Sequence, residues 1–160
     1  MAPQHRTGNW LRFEKHSTSH PLDEQKRSTM IQVGENGIAH LTTSRSVDDV
    51  LAHLLSMVEA KGITVFFVVD HSGEAAKVGL SMRPTKLVLF GSPKAGTPVM
   101  IAEPESALDL ALKILIAEEP SGSTRVSYNT IAYLQARYRM RAEVLTNLAV
   151  IEQIAATVAG

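Results

Sequence analysis

Two short segments of this 160-residue chain carry side chains whose types and spacing could do chemistry. The first is Gly91-Ser92-Pro93-Lys94-Ala95-Gly96-Thr97, whose two glycines have the separation found in loops that cradle phosphate. It does not match the nucleotide P-loop. That motif needs lysine directly after the second glycine, to reach the terminal phosphates, and then a hydroxyl residue to hold magnesium; Thr97 and Pro98 stand in those places. What remains is a generic anion site, with free N–H groups at a helix start and Lys94 beside them, suited to a carboxylate or a single phosphate. The plainer reading of the same residues is a tight turn with an ordinary helix cap. The second segment is Asp70-His71, an acid next to a base where an apolar run ends. Strand ends are favoured positions for reactive groups because a rigid sheet aims them, so His71 is a candidate general acid or base with Asp70 orienting it. Adjacent residues on an extended chain point in different directions, however, and the plainer reading is a turn former beside a surface imidazole.

Other chemistries lack their residues. The absence of cysteine removes disulfides, thiolate nucleophiles and cysteine-based zinc sites. The histidines show no HxH or HExxH spacing, so no metal site is expected, and no serine lies in a G-x-S-x-G elbow. Nothing calls for a cofactor. Lysine plus arginine balances aspartate plus glutamate at 16 each, without runs of like charge, which speaks against nucleic acid or an anionic membrane as partner. Tyr128, Tyr133 and Tyr138 recur beside Arg137, Arg139 and Arg141, but on helices these arginines fan over different faces and the tyrosines suit packing against a sheet. With neither a signal-peptide-like run nor eighteen uninterrupted apolar residues, a cytoplasmic location is expected.

The elements that must position these residues follow from periodicity. An apolar fraction of 44% supplies one core for one domain. Residues 1–34 are polar and without period and read as a flexible tail, with Trp10, Leu11 and Phe13 as its one bulky cluster; the domain is expected over 35–160. Ile38 to Thr42 has strand character. Ser46 before Val47, Asp48 and Asp49 has the chemistry of a helix cap and an acidic first turn, and Val47, Val50, Leu51, Leu54, Leu55 and Val58 recur at helical spacing up to the stop at Lys61 and Gly62. Ile63 to Val69 (ITVFFVV) is apolar on both faces and is expected as a central strand. A short helix over Glu74 to Val78 is expected next, then a strand over Lys86 to Phe90. Thr97 and Pro98 have the form of a cap and first-turn proline for a helix over Val99 to Ala102. After a short helical stretch over Ser106 to Leu110, Leu112 to Ala117 and Thr124 to Tyr128 flank a turn and should pair as a hairpin. Asn129 or Thr130 caps a helix from Ile131 to Tyr138, and Val144 to Val158 carries one apolar stripe along a final helix. Strands in one layer and helices in the other make the expected class two-layer α+β, with an antiparallel-rich or mixed sheet of about five strands.

From Gly62 to about Tyr138 the chain resembles the family known as domain of unknown function 302. The segments GITVFFVVDHSGEAAKVGL, RPTKLVLFGSPKAGTPVM, LDLALKILIAEE and VSYNTIAYLQARY carry the likeness together. The resemblance implies a fold similar to the TATA-binding-protein type, a curved sheet with helices on one face, usually seen as a dimer. It implies no activity and no DNA binding, and points only to polar positions without roles: Asp70, His71, Gly91, Lys94 and Thr97. Ala111 stands where the family often has proline, and Gly73 where it has alanine.

The expected function is thus a cytoplasmic, homodimeric small-ligand-binding or accessory module, with a possible anion site built from Asp70, His71, Gly91, Lys94, Gly96 and Thr97. Two alternatives stand beside it: an enzyme using His71 as acid or base, and an interaction module without a ligand pocket. The first two require the segments 70–73 and 91–97 to converge on one hollow; the third requires an exposed apolar face.

Overall fold

A computed structural model describes residues 31–160. The chain runs β1 (Gln32–Val33), β2 (Ile38–Thr43), α1 (Val47–Ala60), β3 (Thr64–Asp70), α2 (His71–Lys77), β4 (Thr85–Gly91), α3 (Pro93–Ala102), a 3₁₀ turn (Pro104–Leu108), β5 (Leu112–Glu118), β6 (Thr124–Asn129), α4 (Ile131–Tyr138), α5 (Ala142–Leu145) and α6 (Val150–Ala159). The strands form one sheet in the order β1-β2-β6-β5-β4-β3, and every neighbouring pair is antiparallel. The protein is therefore two-layer α+β with six strands rather than about five. The additional strand, β1, falls within residues assigned to the tail: Val33 pairs with Ala39. The Trp10, Leu11 and Phe13 cluster lies outside the described residues.

Alternation along the strands builds the core. Ala39 and Leu41 of β2, Val88 and Phe90 of β4, Leu112, Ile114 and Ile116 of β5 and Val126 and Tyr128 of β6 are buried on one face. Over them lie α1, through Val50, Leu54 and Val58, and α6, through Ile151, Ile154, Ala155 and Val158. The stretch Ala142–Ala159 is long and apolar enough to cross a membrane by composition, with a mean hydropathy of 1.3, yet its apolar stripe is the side packed on α1 and the sheet. It is also not one continuous helix. Leu148 and Ile151 donate to the carbonyls of Leu145 and Leu148, three residues back, and these tight turns separate α5 from α6.

Local capping chemistry places the helix starts. Ser46 Oγ accepts from the Asp49 amide at 3.1 Å and Thr130 Oγ1 from the Tyr133 amide at 3.2 Å. Two further expectations fail. The α3 helix begins at Pro93 rather than after Thr97, because a proline at its first position needs no N–H donor there; Gly96 and Pro98, which read as breakers, are carried inside it. More consequentially, ITVFFVV is not central: β3 is the edge strand, with Phe66 and Phe67 48% and 64% exposed. Its composition matches a covered strand, but nothing within the described chain covers its outer side.

Candidate functional site

Asp70 closes β3 and caps α2. Its Oδ1 accepts from the Gly73 amide at 2.8 Å and the Ser72 hydroxyl at 2.7 Å, and its Oδ2 from Lys86 Nζ at 2.6 Å. The Lys86 ammonium first, then the Gly73 amide and Ser72 hydroxyl, hold the Asp70 carboxyl well below the usual carboxylate range. Both carboxylate oxygens are thereby engaged away from His71, which is exposed as the first residue of α2. Asp70 positions a helix rather than the imidazole.

The other sequence-marked segment lies at the far end of the same strands. Asp70 faces Lys86 at one end of the β3–β4 ladder, and Thr64 faces Gly91 at the other. Lys86 and Gly91 are about 17 Å apart at the usual rise of a strand. The segments 70–73 and 91–97 therefore do not converge, because an antiparallel hairpin sends the end of its first strand and the end of its second to opposite sides of the sheet. At the Gly91 end the amides of Ala95 and Gly96 donate to the Ser92 carbonyl at 3.0 and 2.8 Å, closing the first turn of α3 upon itself, while Lys94 and Thr97 are exposed. Gly91 leaves room for the Phe66 ring, which would lie 3.1 Å from a Cβ there. The hollow beside it, about 170 Å³, takes in Gly91, Gly96 and Thr97 but is walled chiefly by Phe66, Phe90, Met100 and Leu148. Such a wall suits an apolar group better than an anion.

The larger hollow, about 520 Å³, lies over the face of the sheet that α1 and α6 leave bare. Register sets its floor: Leu87, Leu115, Ser127 and His40 form one row across four strands, and Ala117 and Arg125 stand side by side in the next. Ile38 and Lys113 complete one side, and the β5–β6 turn with Glu118 and Glu119 the other. His40 Nδ1 lies 3.0 Å from Ser127 Oγ, Arg125 pairs with Glu119, and Lys113 Nζ donates to the carbonyls of Ala111 and Leu108. Serine against histidine is the arrangement of a nucleophile and its base, but Ser127 is buried and no acid orients His40 among the described bonds. The pair is a cross-strand polar contact on an apolar floor.

A further polar cluster was not legible beforehand. Tyr138 donates to Asp109 Oδ2 at 2.6 Å, while Arg137 donates to Tyr138 and Tyr133 at 3.1 and 2.9 Å and stacks near both rings. Burial first, and then the hydrogen bond to Asp109, raise the Tyr138 phenol above its ordinary value. The cluster ties α4 to the end of the 3₁₀ turn. The adjacent Arg137 and Tyr138 were visible in the sequence; Asp109, 29 residues earlier, was not connected to them by any local signal. Among the described residues no three histidine, aspartate or glutamate side chains assemble as a metal site.

Fold and site thus define a two-layer antiparallel α+β domain with one covered and one bare sheet face and no assembled catalytic constellation among the described residues. The family described as Domain of unknown function DUF302 matches residues 39–158, and the chain belongs to that family. A crystal structure of an uncharacterized conserved DUF302 protein from Bacillus stearothermophilus shares the fold, with a TM-score of 0.65 at 15% identity over 77% of this chain and 95% of that one. Over 111 residues, 69% of its length, the chain is 30% identical to the fluoride-specific ion channel FluC 1 of Brucella suis biovar 1 and to FluC 1 of Brucella abortus biovar 1. The match spans 44% and 41% of those two proteins, less than half of each.

Proposed function

We propose that this domain is an accessory docking module that works as a homodimer beside a membrane ion channel and presents the bare face of its sheet to its partner. The observation that carries this reading is the bare face itself: Leu87, Leu115 and Ala117 on the interior strands β4 and β5 line an open hollow rather than a helix. The channel enters through the Brucella proteins, in which a stretch similar to this domain forms less than half of a chain named a fluoride-specific ion channel. A domain similar to part of such a chain is well placed to dock on a channel of that kind. The test is to hold the Brucella suis channel, trimmed of the matched stretch, in lipid nanodiscs and titrate it with this protein. Saturable binding that Leu115→Arg weakens at least tenfold is expected. Absence of binding, or binding indifferent to Leu115→Arg, refutes the reading.

A second reading has its own observation. The hollow joins an apolar floor to His40, Ser127, Lys113 and Asn129, a combination that suits a small organic acid with its hydrocarbon part on Leu115 and its polar end at the rim. A thermal-shift series with small carboxylates and phosphates supports it if a ligand raises the Tm of the parent and not of His40→Ala.

A further inference from the structure

We infer that the edge strand β3 is the seam between two copies of this chain, which pair there antiparallel to make one continuous sheet. The inference deepens the homodimer reading above and rests on it. Four observations carry it. First, β3 has the composition of a covered strand, TVFFVVD, yet pairs only with β4, and its backbone makes no hydrogen bond outside that ladder among the described residues. Second, the two edges of the sheet are built differently. The β1 edge is two residues long, the usual way of blunting an edge, whereas β3 offers seven residues without lysine or proline. Third, five of the nine exposed large apolar side chains among the described residues fall between Phe66 and Met82, in β3 or in the connection that leads from its end through α2. Fourth, the only charge in β3, Asp70, is neutralised within its own chain by Lys86, so two such edges meet without like-charge repulsion.

A second copy is the occupant that these observations fit. An edge without net charge has nothing to recruit a charged partner, and an apolar strand related to itself by a two-fold axis is self-complementary by construction. The irregularity between Val65 and Phe67 bends the first part of β3, so the axis lies against the regular stretch Phe67–Asp70. Pairing there makes β3 the central strand that its sequence describes. It also joins the two bare faces into one floor.

Because the protein has no cysteine, a single-cysteine scan reads the seam directly. Phe67→Cys, Val68→Cys and Val69→Cys are compared under mild oxidation with Val33→Cys on the opposite edge and Ile101→Cys on α3, after sedimentation gives the mass of the parent. The expected result is a parent of twice the chain mass and cross-linked dimer from one of the β3 positions at least tenfold above both controls. Phe67→Lys, whose side chain is already exposed in one copy, is expected to keep the far-UV spectrum and raise the dissociation constant at least tenfold. A dimeric parent whose β3 cysteines cross-link no better than the controls, or whose Phe67→Lys variant dimerises unchanged, overturns the seam and leaves the homodimer to another surface. A parent that stays monomeric at every concentration overturns the homodimer reading as well.

Discussion

Replacing Gly37 by alanine tests whether β1 and its turn are an integral part of this domain. Gly37 lies in the turn between β1 and β2 with φ +77°, its carbonyl accepts from the Thr130 amide at 3.0 Å, and a Cβ built on it would meet Tyr133 Cβ at 2.5 Å and its ring at 2.6 Å. Two costs add. Holding alanine in the left-handed region costs about 1–2 kcal/mol, of which about 0.4–1 kcal/mol is offset by the stiffer unfolded chain. The contact with Tyr133 is with the root of the side chain, which cannot swing aside without moving α4, and overpacking of that kind costs about 1–3 kcal/mol more. Gly62, at the end of α1, is the control: its φ is +65° and a Cβ there meets nothing within 4 Å, so Gly62→Ala carries the backbone cost alone. Urea unfolding of the two variants should therefore place Gly62→Ala about 0.5–1 kcal/mol below the parent and Gly37→Ala about 1.5–4 kcal/mol below it, with unchanged slopes. Equal losses would refute the reasoning, because they would mean that the β1–β2 turn does not rest on α4.

Three other outcomes are expected. Asp70 has a depressed carboxyl pKa when folded, so its contribution to stability is present above the unfolded value near 4 and is lost as pH falls toward the lower folded one; Lys86→Met should shrink that acid-limb loss in denaturation curves taken between pH 5 and pH 2. Tyr138→Phe removes the donor to Asp109 and should cost about 1 kcal/mol by chemical denaturation at pH 7; an unchanged midpoint would mean that the α4 cluster contributes nothing net. Ile114→Ala, at the centre of β5 with its side chain fully buried, should cost about 2–5 kcal/mol in the same assay, and a loss below 1 kcal/mol would contradict its placement under the helical layer.

The caps and periods of this sequence act over three or four residues, and where such signals decide, reading and structure agree. Ser46 starts α1 and Thr130 starts α4 because each side chain satisfies an amide three residues on, and the turn after Glu118 folds β5 onto β6. Where the signal was mixed, as in the Pro93 to Pro98 stretch, breakers inside a helix hid its true start; β1, only two residues long, was too short to show a period. The candidate residues divide along the same line. Asp70 was marked by its place at a strand end, and its local role as a cap follows from the residues after it; that Lys86 would engage the carboxylate depended on β4 lying alongside.

Strand order belongs to the tertiary structure alone. It is decided by pairings between segments distant in the chain, whose energies depend on which faces the helices cover, and no window of neighbouring residues contains that information. Hence the apolar ITVFFVV could be recognised as a strand but not placed at the edge, and Gly91 and Asp70 could each be noticed without showing that they stand at opposite ends of one ladder. The same non-local register brings His40 against Ser127, 87 residues later, and leaves Leu87 and Leu115 on a bare face. The sequence by itself determined that there are strands and helices of these kinds and a core to join them. Only packing decided which surface was left uncovered, because exposure is a property of what lies opposite a side chain and not of the side chain itself.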